Sequence, residues 1–261
     1  MSTNHDERNF LIQIIGLKGI PIPVKKGDDL ASLTFRAAQE QGTPLENGDV
    51  VVLAQTVVSK AEGRTVNLKE VTPSEFAEII ASKMEKDPRV VEVILRESRS
   101  IRRMGDGHLI VETRHGFICA NAGVDKSNVA DEDAVTLLPE DPDRSARQIR
   151  KALMSLSGKD VAVLITDTWG RPFREGQANM TIGVAGMDPI RDRRGEKDLF
   201  GYVLKVKQTA VADELAGAAE LVIGQGAEGV PVAIIRGYKY IPKDRSTAKK
   251  LVMSREKDLF L

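Results

Sequence analysis

The sequence predicts an α/β fold, in which buried strands alternate with helices. Two continuous apolar runs, at residues 50–54 and 161–164, have the composition of buried strands. Segments that open with helix-capping residues lie between the apolar runs. Several strands are followed by loops rich in Gly, Asp, Asn, Gln, Ser, Thr and Lys, and α/β enzymes assemble their sites from such loops.

Turn-forming residues and hydrophobic periodicity predict the positions of the individual helices and strands. Strands are predicted at residues 10–15, 50–54, 161–164 and 232–235, with a hairpin at 108–120 that turns at 114–116. Helices are predicted from Asp28 to about residue 41, from 141 to about 157, and from 208 to 223. Two more are predicted to open with Thr72-Pro73-Ser74-Glu75 and with Asp87-Pro88. Loops are predicted at residues 16–23, 55–64 and 224–229.

Composition limits the class of protein. The 261 residues are 41% apolar, and 38 basic residues balance 38 acidic ones, so nucleic-acid binding has no electrostatic support. The single cysteine, Cys119, excludes an internal disulfide framework, which fits a reducing cytoplasm. Residues 1–9 lack a signal-peptide core, and no apolar run is long enough to span a bilayer. We therefore expect a soluble cytoplasmic protein in which residues 1–261 form one functional unit, of one or two subdomains.

A carboxylate and a hydroxyl follow the apolar run at 161–164. Asp167 and Thr168 are expected where this strand ends, and a glycine is expected to turn the chain before Arg171 and Arg174. Ligands usually bind at the carboxyl ends of strands in open α/β sheets, and such oxygens suit Mg²⁺ or Mn²⁺. Because arginines suit phosphate or carboxylate, the segment predicts a metal-bridged anion site. The structural alternatives are a helix cap or surface turn, and arginines paired with neighbouring carboxylates.

Three further segments are candidates for the same site. Asp125 is a candidate metal ligand and Asn128 a candidate ligand contact, although an Asx-turn explains Asp125 as well. The glycine-rich residues 224–229 either wrap their amides around phosphate or end a helix, and they do not form a Walker loop. Lys60 either neutralises phosphate or lies solvated in a loop.

Other reactive residue types do not suggest a site. His5, His108 and His115 are too scattered to predict a zinc site. Ser59 has no evident histidine partner, so a hydrolase triad is unsupported. Cys119 lies in an apolar strand and is predicted to be a core residue rather than a nucleophile.

Six short segments are each weak evidence for a family when taken alone, but their order along the chain is specific. They are GIP at 19–21, GDDL at 27–30, VVSKAEGR at 57–64, NAGVDKSN at 121–128, TDTWGR at 166–171 and GQGAEGVP at 224–231. Together they resemble the coenzyme F420-0:L-glutamate γ-ligase family, from about residue 10 to residue 240.

The resemblance implies a mixed α/β fold with mixed sheets and flanking helices, assembled as a homodimer. It implies a GTP-dependent ligase that joins L-glutamate to coenzyme F420-0, with Mg²⁺ or Mn²⁺ and optionally K⁺. The implied metal ligands are Asp125, Asp167, Thr168 and Gln225. The implied nucleotide contacts are Ile20, Pro21, Ile22, Pro23, Gln55, Thr56, Lys60, Asn128, Ile223, Gly224, Gln225, Gly226, Ala227, Glu228, Gly229 and Val230.

The same resemblance implies activation of the F420-0 carboxylate as an acyl phosphate, which the glutamate amine then opens. Asp125, Asp167, Lys60 and Arg171 are the candidate catalytic residues, and Arg171 and Arg174 are assigned to a substrate carboxylate from residue type alone. Phosphoryl transfer depends on positioning and charge neutralisation, so it needs no nucleophilic triad. Two alternatives stay open: a ligase for another small acid, and a nucleotide-binding protein without turnover.

Overall fold

The computed structural model describes residues 11–105, 107–126 and 133–258. The strands are β1 (Gln13–Gly16), β2 (Val50–Ala54), β3 (Thr65–Asn67), β4 (Ser98–Gly105), β5 (His108–Thr113), β6 (Ile118–Ala120), β7 (Ala134–Thr136), β8 (Ala162–Arg171), β9 (Arg174–Met187), β10 (Arg191–Asp192), β11 (Gln208–Thr209), β12 (Val232–Arg236) and β13 (Pro242–Lys243). The α-helices are α1 (Leu30–Glu40), α2 (Gln55–Glu62), α3 (Glu75–Met84), α4 (Pro88–Arg96), α5 (Pro142–Ser157) and α6 (Val211–Ile223).

The main sheet has six strands in the order β1-β12-β2-β8-β9-β13. Strands β2 and β8 are parallel, with Val50 opposite Ala162 and Ala54 opposite Thr166, and the other neighbours are antiparallel. Both apolar runs lie at the centre of this sheet and are fully buried except for Ala54, which is partly buried. Helix α5 packs on β8 and β9, and α6 packs on β1, β9 and β12. A mixed α/β fold is therefore confirmed.

A smaller lobe, composed of α3, α4 and β3 to β7, has hydrophobic clusters of its own. Ile80, Val91 and Ile94 of the helix pair pack with Leu109 and Val111 of the three-stranded sheet β4-β5-β6. A second cluster joins α4 to the two-stranded sheet β3-β7. The chain enters this small lobe after α2 and leaves it before α5.

Most predicted helix starts are confirmed by side-chain caps. Ser74, Asp87 and Asp141 each accept a hydrogen bond from a backbone amide in the first turn of α3, α4 and α5. The predicted cap Asp28 is wrong, because Asp29 caps α1 while Asp28 accepts from the amide of Lys25.

Three other boundaries differ from the prediction. Residues 55–62 form α2 rather than a loop, and the helix ends at Gly63 in the left-handed conformation, with φ 72°. Residues 208–209 pair with Arg191–Asp192 as strands, so α6 begins only at Val211. The first strand is Gln13–Gly16, and its predicted first residue, Phe10, lies outside the described residues.

Within the described ranges, the model contains no helix with both the length and the apolar composition needed to cross a membrane.

Candidate active site

The strand that carries Asp167 extends beyond the main sheet. It pairs with β2 only as far as Thr166, yet it continues paired to β9 alone until Arg171. Asp167 and Thr168 therefore lie within a strand, and the predicted strand end is wrong. The predicted glycine turn is wrong too, because Gly170 pairs with Gln177 in the ladder. The apolar pattern stops where β2 ends, but the hydrogen-bonded hairpin does not.

A cavity of about 510 Å³ lies where this hairpin meets α2, the small lobe and the loop after α6. It is lined by Ile22, Val24, Ala54, Gln55, Thr56, Val57, Lys60, His108, Ala120, Asn121, Gly123, Val124, Asp125, Thr166, Asp167, Thr168, Trp169, Gly170, Gln177, Asn179, Ile223, Gly224, Gln225, Gly226, Glu228, Gly229, Val230 and Pro231. Polar residues from segments that are far apart in the chain therefore share one cavity.

Asp125 and Asp167 face this cavity from different lobes. The backbone of Asp125 is held by reciprocal hydrogen bonds with Thr136, at 3.0 and 2.8 Å. Burial raises the pKa of Asp167 to about 6, and the nearby charge of Asp125 adds to the increase. Hydrogen bonds from the Trp169 indole, at 2.8 Å, and from the backbone of Thr168 oppose this shift. Two carboxylates that repel each other across one cavity create a site of negative potential.

The Lys60 ammonium supplies positive charge to the same cavity. Burial lowers the pKa of Lys60, whereas the charge of Asp125 raises it. Its helix, α2, starts directly after β2, so the parallel strands β2 and β8 bring Lys60 and Asp167 to the same edge of the sheet. The site can therefore balance an anion as well as a cation.

The donor chemistry fits a hard divalent cation. No group of three or more His, Cys, Asp and Glu side chains suited to a metal occurs in the part of the chain that the structure describes. A cation at Asp125 and Asp167 would consequently depend on neutral oxygens and on ligand phosphates as well. Mg²⁺ is commonly bound in this way, with one or two carboxylates and substrate phosphates.

A hydrogen-bonded network surrounds Thr168 at the rim of the cavity. Its hydroxyl donates to Asn179 Oδ1 at 3.0 Å and accepts from Gln225 Nε2 at 2.7 Å. Gln225 Nε2 also donates to Glu220 Oε1, and the Glu220 Oε2 atom accepts from the backbone amide of Asn179 at 2.9 Å. Two of the predicted metal ligands, Thr168 and Gln225, are therefore in direct contact.

The sequence prediction missed Glu220 and Asn179. One signal for Glu220 was available, because a carboxylate in the last turn of a helix opposes the helix dipole and needs another reason to be there. Asn179 gave no signal, since its partners come from β8 and α6 and only the folded chain brings them together.

The glycine-rich loop after α6 carries no regular structure, as predicted. Within it, Glu228 Oε2 accepts from the backbone amide of Gly226 at 2.7 Å, and the same carboxylate folds against Gly224. Backbone amides that bind a carboxylate can also bind other anions, including phosphate. Ala227 lies in this loop but outside the lining of the cavity.

The remaining predicted nucleotide contacts divide into two groups. Ile22 and Thr56 line the cavity, whereas Ile20 is a core residue and Pro21 and Pro23 lie on the exposed surface. Asn128 lies outside the described residues.

Gln55 lines the cavity, but its amide nitrogen is used within the protein. It donates to Ser59 Oγ at 2.7 Å and to the carbonyl oxygen of Leu137 at 2.9 Å, which joins α2 to the chain that follows β7.

The two arginines lie on the hairpin rather than in the cavity lining. Arg171 Nη2 donates to the carbonyl oxygen of Glu175 at 3.0 Å, which closes the hairpin tip, and Arg174 is exposed.

Cys119 is a buried core residue, as predicted, and burial raises the pKa of its thiol to about 12. His108 lines the cavity, although the sequence gave no reason to place it there.

The chain is similar to known proteins over nearly its whole length. The sequence model of the F420-0:Gamma-glutamyl ligase family matches residues 19–237. The coenzyme F420:L-glutamate ligase of Methanothermobacter thermautotrophicus is 50% identical over 250 residues, which are 95% of this chain and 98% of the relative. The proteins of the same name from Methanopyrus kandleri and Methanocaldococcus jannaschii are 54% identical over 223 residues and 44% identical over 249 residues, covering 84% and 95% of this chain and 86% and 96% of the relatives.

The extent of this similarity shows that the chain is an enzyme of the ligase class. The chain belongs to the F420-0:gamma-glutamyl ligase family, which confirms the resemblance seen in its ordered motifs.

Proposed function

We propose that this ligase joins L-glutamate to coenzyme F420-0 in the cytoplasm, at the expense of GTP. The names of its relatives supply the substrates. The observation that carries the proposal is the convergence of Asp125, Asp167, Lys60 and the loop after α6 on one cavity. Amide formation from a free carboxylate is unfavourable in water, so the carboxylate has to be activated. Transfer of a phosphoryl group to this carboxylate would activate it. The paired carboxylates Asp125 and Asp167 and the Lys60 ammonium make the cavity suited to such a transfer.

In the proposed reaction, a carboxylate oxygen of F420-0 attacks the γ-phosphorus of GTP, and GDP leaves. The amine of L-glutamate then attacks the acyl carbon, the amide bond forms and inorganic phosphate leaves. Lys60 would offset phosphate charge, and the amides of residues 224–229 would hold the phosphate chain. Arg171 and Arg174, which lie on the hairpin outside the cavity lining, are proposed from residue type to bind a substrate carboxylate.

Asp125, Asp167, Thr168 and Gln225 are the proposed ligands of Mg²⁺ or Mn²⁺. When bound, the divalent cation would neutralise charge on the transferred phosphoryl group. The Trp169 indole fixes one oxygen of Asp167, and the neighbouring network fixes Thr168 and Gln225, so the proposed ligands are held before substrate arrives. A role for K⁺ belongs to the same proposal and rests on the family resemblance.

We further propose that the protein is a homodimer, because it carries an ordered apolar surface that one copy leaves uncovered. Residues 193–207, here called the arm, fold back on themselves through backbone hydrogen bonds such as Gly195 N to the carbonyl oxygen of Leu204 at 2.8 Å. At the arm, Leu199, Phe200 and Val206 are 97%, 96% and 86% exposed. Apolar surface of this kind usually marks an interface.

The ligase proposal is tested by replacing Asp167 with Asn. Asp167→Asn removes the charge but keeps an oxygen that can accept from Trp169, so we expect the fold to persist. Ligation of glutamate to F420-0 should fall roughly a thousandfold, because a catalytic metal contributes several kcal/mol to transition-state stabilisation. Product mass and GDP release, measured with GTP and Mn²⁺, give the readout.

The control is Asp192→Asn. Asp192 pairs with Arg194 on the surface, outside the cavity lining, so turnover should not change. Near-normal turnover by Asp167→Asn would reject the proposed site. Turnover with another small acid but not with F420-0 would favour the ligase for a different acceptor. Nucleotide binding without phosphate release for any acceptor would favour a non-catalytic protein.

A further inference from the structure

Glu220 lies behind the proposed metal ligands rather than among them. Both of its carboxylate oxygens are engaged: Oε1 accepts from Gln225 Nε2 at 2.5 Å, and Oε2 accepts from the backbone amide of Asn179 at 2.9 Å. Glu220 is not part of the cavity lining, whereas Gln225 and Asn179 both are. The side chain therefore connects α6 to two groups at the rim of the cavity.

The chemistry of a carboxylate decides how the Gln225 amide is oriented. An ionised carboxylate only accepts hydrogen bonds, so the amide nitrogen of Gln225, and not its oxygen, has to face Glu220. The same nitrogen donates to Thr168 Oγ1 at 2.7 Å. Both contacts use the nitrogen, which leaves Oε1 as the amide atom available to a cation.

The Thr168 hydroxyl is fixed by the same network. It accepts from Gln225 Nε2 and donates its proton to Asn179 Oδ1 at 3.0 Å, so a second lone pair on its oxygen stays available. Glu220 also binds the backbone of Asn179, and so it contacts both partners of Thr168.

We propose that Glu220 is a positioning residue that presents the oxygens of Gln225 and Thr168 to the divalent cation. This inference rests on the proposed metal site. Side chains that do not touch the metal but hydrogen-bond to its ligands orient those ligands. Their replacement typically lowers metal affinity by 10- to 100-fold.

Replacing Glu220 with Gln tests the orientation directly. The introduced side chain has one oxygen, and the backbone amide of Asn179, which can only donate, takes it. The introduced nitrogen then donates to the Gln225 oxygen, so that this oxygen is no longer available to a cation. With Mn²⁺ alone as the probe, followed by electron paramagnetic resonance, we expect Glu220→Gln to weaken binding by about tenfold.

The exchanged pair Glu220→Gln/Gln225→Glu should restore affinity to within about threefold of wild type, by the same argument. In that variant the amide introduced at position 220 accepts from Asn179 and donates to the carboxylate introduced at position 225. The Thr168 hydroxyl, which in the wild type accepts from Gln225, can turn its proton to that carboxylate instead of to Asn179. That carboxylate again presents an oxygen to the cation.

A matched control comes from the same helix. Asp213 of α6 also accepts a backbone amide of β9, from Thr181 at 2.9 Å, but Thr181, unlike Asn179 and Gln225, does not line the cavity. Asp213→Asn should leave Mn²⁺ affinity unchanged. Equal loss in Asp213→Asn and Glu220→Gln would show that general contact between α6 and β9 is responsible, and it would overturn the inference.

A double-mutant cycle separates orientation from the loss of charge. If Glu220 acts through Gln225, adding Glu220→Gln to Gln225→Ala should change Mn²⁺ affinity by less than about twofold. An additive loss would overturn the inference. Unchanged binding by Glu220→Gln beside clear wild-type binding would overturn it as well, while leaving the metal site intact. Failure of the wild-type protein to bind Mn²⁺ would overturn the metal site, and this inference with it.

Discussion

Gly183 of β9 lies against the first turn of α5, where the backbone leaves no room for a side chain. A Cβ atom at this position would lie 2.4 Å from the carbonyl oxygen of Pro142 and 2.9 Å from its Cβ. Gly183→Ala should therefore push strand and helix apart and lower the free energy of unfolding by about 1–3 kcal/mol, as overpacked cores do. Denaturant unfolding measures the loss.

Gly170→Ala is the matched control in the same hairpin, because no atom lies within 4 Å of the added Cβ. It should change the free energy of unfolding by less than about 0.5 kcal/mol. Equal losses for the two variants would contradict the packing argument.

The residue types and their positions in the sequence indicated candidate site residues, but they did not indicate the partners of those side chains. Asp125, Asp167 and Lys60 were singled out as charged residues that follow apolar runs, and they share one cavity. Gln55 was implied as a nucleotide contact by the family resemblance, yet its amide nitrogen binds Ser59 and Leu137. A polar side chain at a strand end can face ligand or protein, and only the packing of distant segments decides between them.

At the scale of the element, the largest error of the sequence prediction is the end of β8, the strand that carries Asp167. A loss of apolar residues after residue 165 resembles a strand end, because sequence patterns report burial rather than hydrogen bonding. Here β8 loses its neighbour β2 but keeps β9, so it continues as a polar hairpin. The missed helix α2 has a related cause: its exposed turns are polar, and it ends in a glycine that is equally typical of a loop.

The start of α1 depends on one side chain. Asp29 accepts from the backbone amides of Ala31 and Ser32, so Asp29→Ala should lower the free energy of unfolding by about 1 kcal/mol at pH 7. Hydrogen bonds from the Ser32 hydroxyl and backbone lower the pKa of Asp29 below its ordinary value of 3.8. The stabilisation is therefore complete above pH 3.8 and is lost as the pH falls through the folded-state pKa.

Ser32→Ala is the control for this pH dependence. It keeps the backbone hydrogen bonds to Asp29 but removes the hydroxyl that contributes most to the lowered pKa. It should cost less than Asp29→Ala, and its loss of stability in acid should begin at a higher pH than in the wild type. Unfolding titrations between pH 7 and pH 2 check both statements, and a pH-independent cost for Asp29→Ala would contradict the assignment.

For the whole molecule, the composition gave no domain boundary because the small lobe is inserted between α2 and α5. The two strands on either side of the insertion, β2 and β8, are parallel neighbours. The insertion therefore begins and ends on the main sheet, and its own residue Asp125 faces Asp167 across the cavity. A site built from both lobes needs no linker of distinctive composition, so sequence patterns had nothing to detect.

The arm provides the test of assembly. If a second copy covers it, replacing Leu199 and Phe200 together with Asp should place two charges in an apolar interface. Central anchors of an interface each contribute about 2 kcal/mol or more, so the double variant should be monomeric at micromolar concentration while the wild type is dimeric. Size-exclusion chromatography with light scattering gives the mass. Phe76→Asp, on an exposed position of α3 in the small lobe, should remain dimeric. A monomeric wild-type protein, or a double variant that still dimerises, would show that the arm does not hold two copies together.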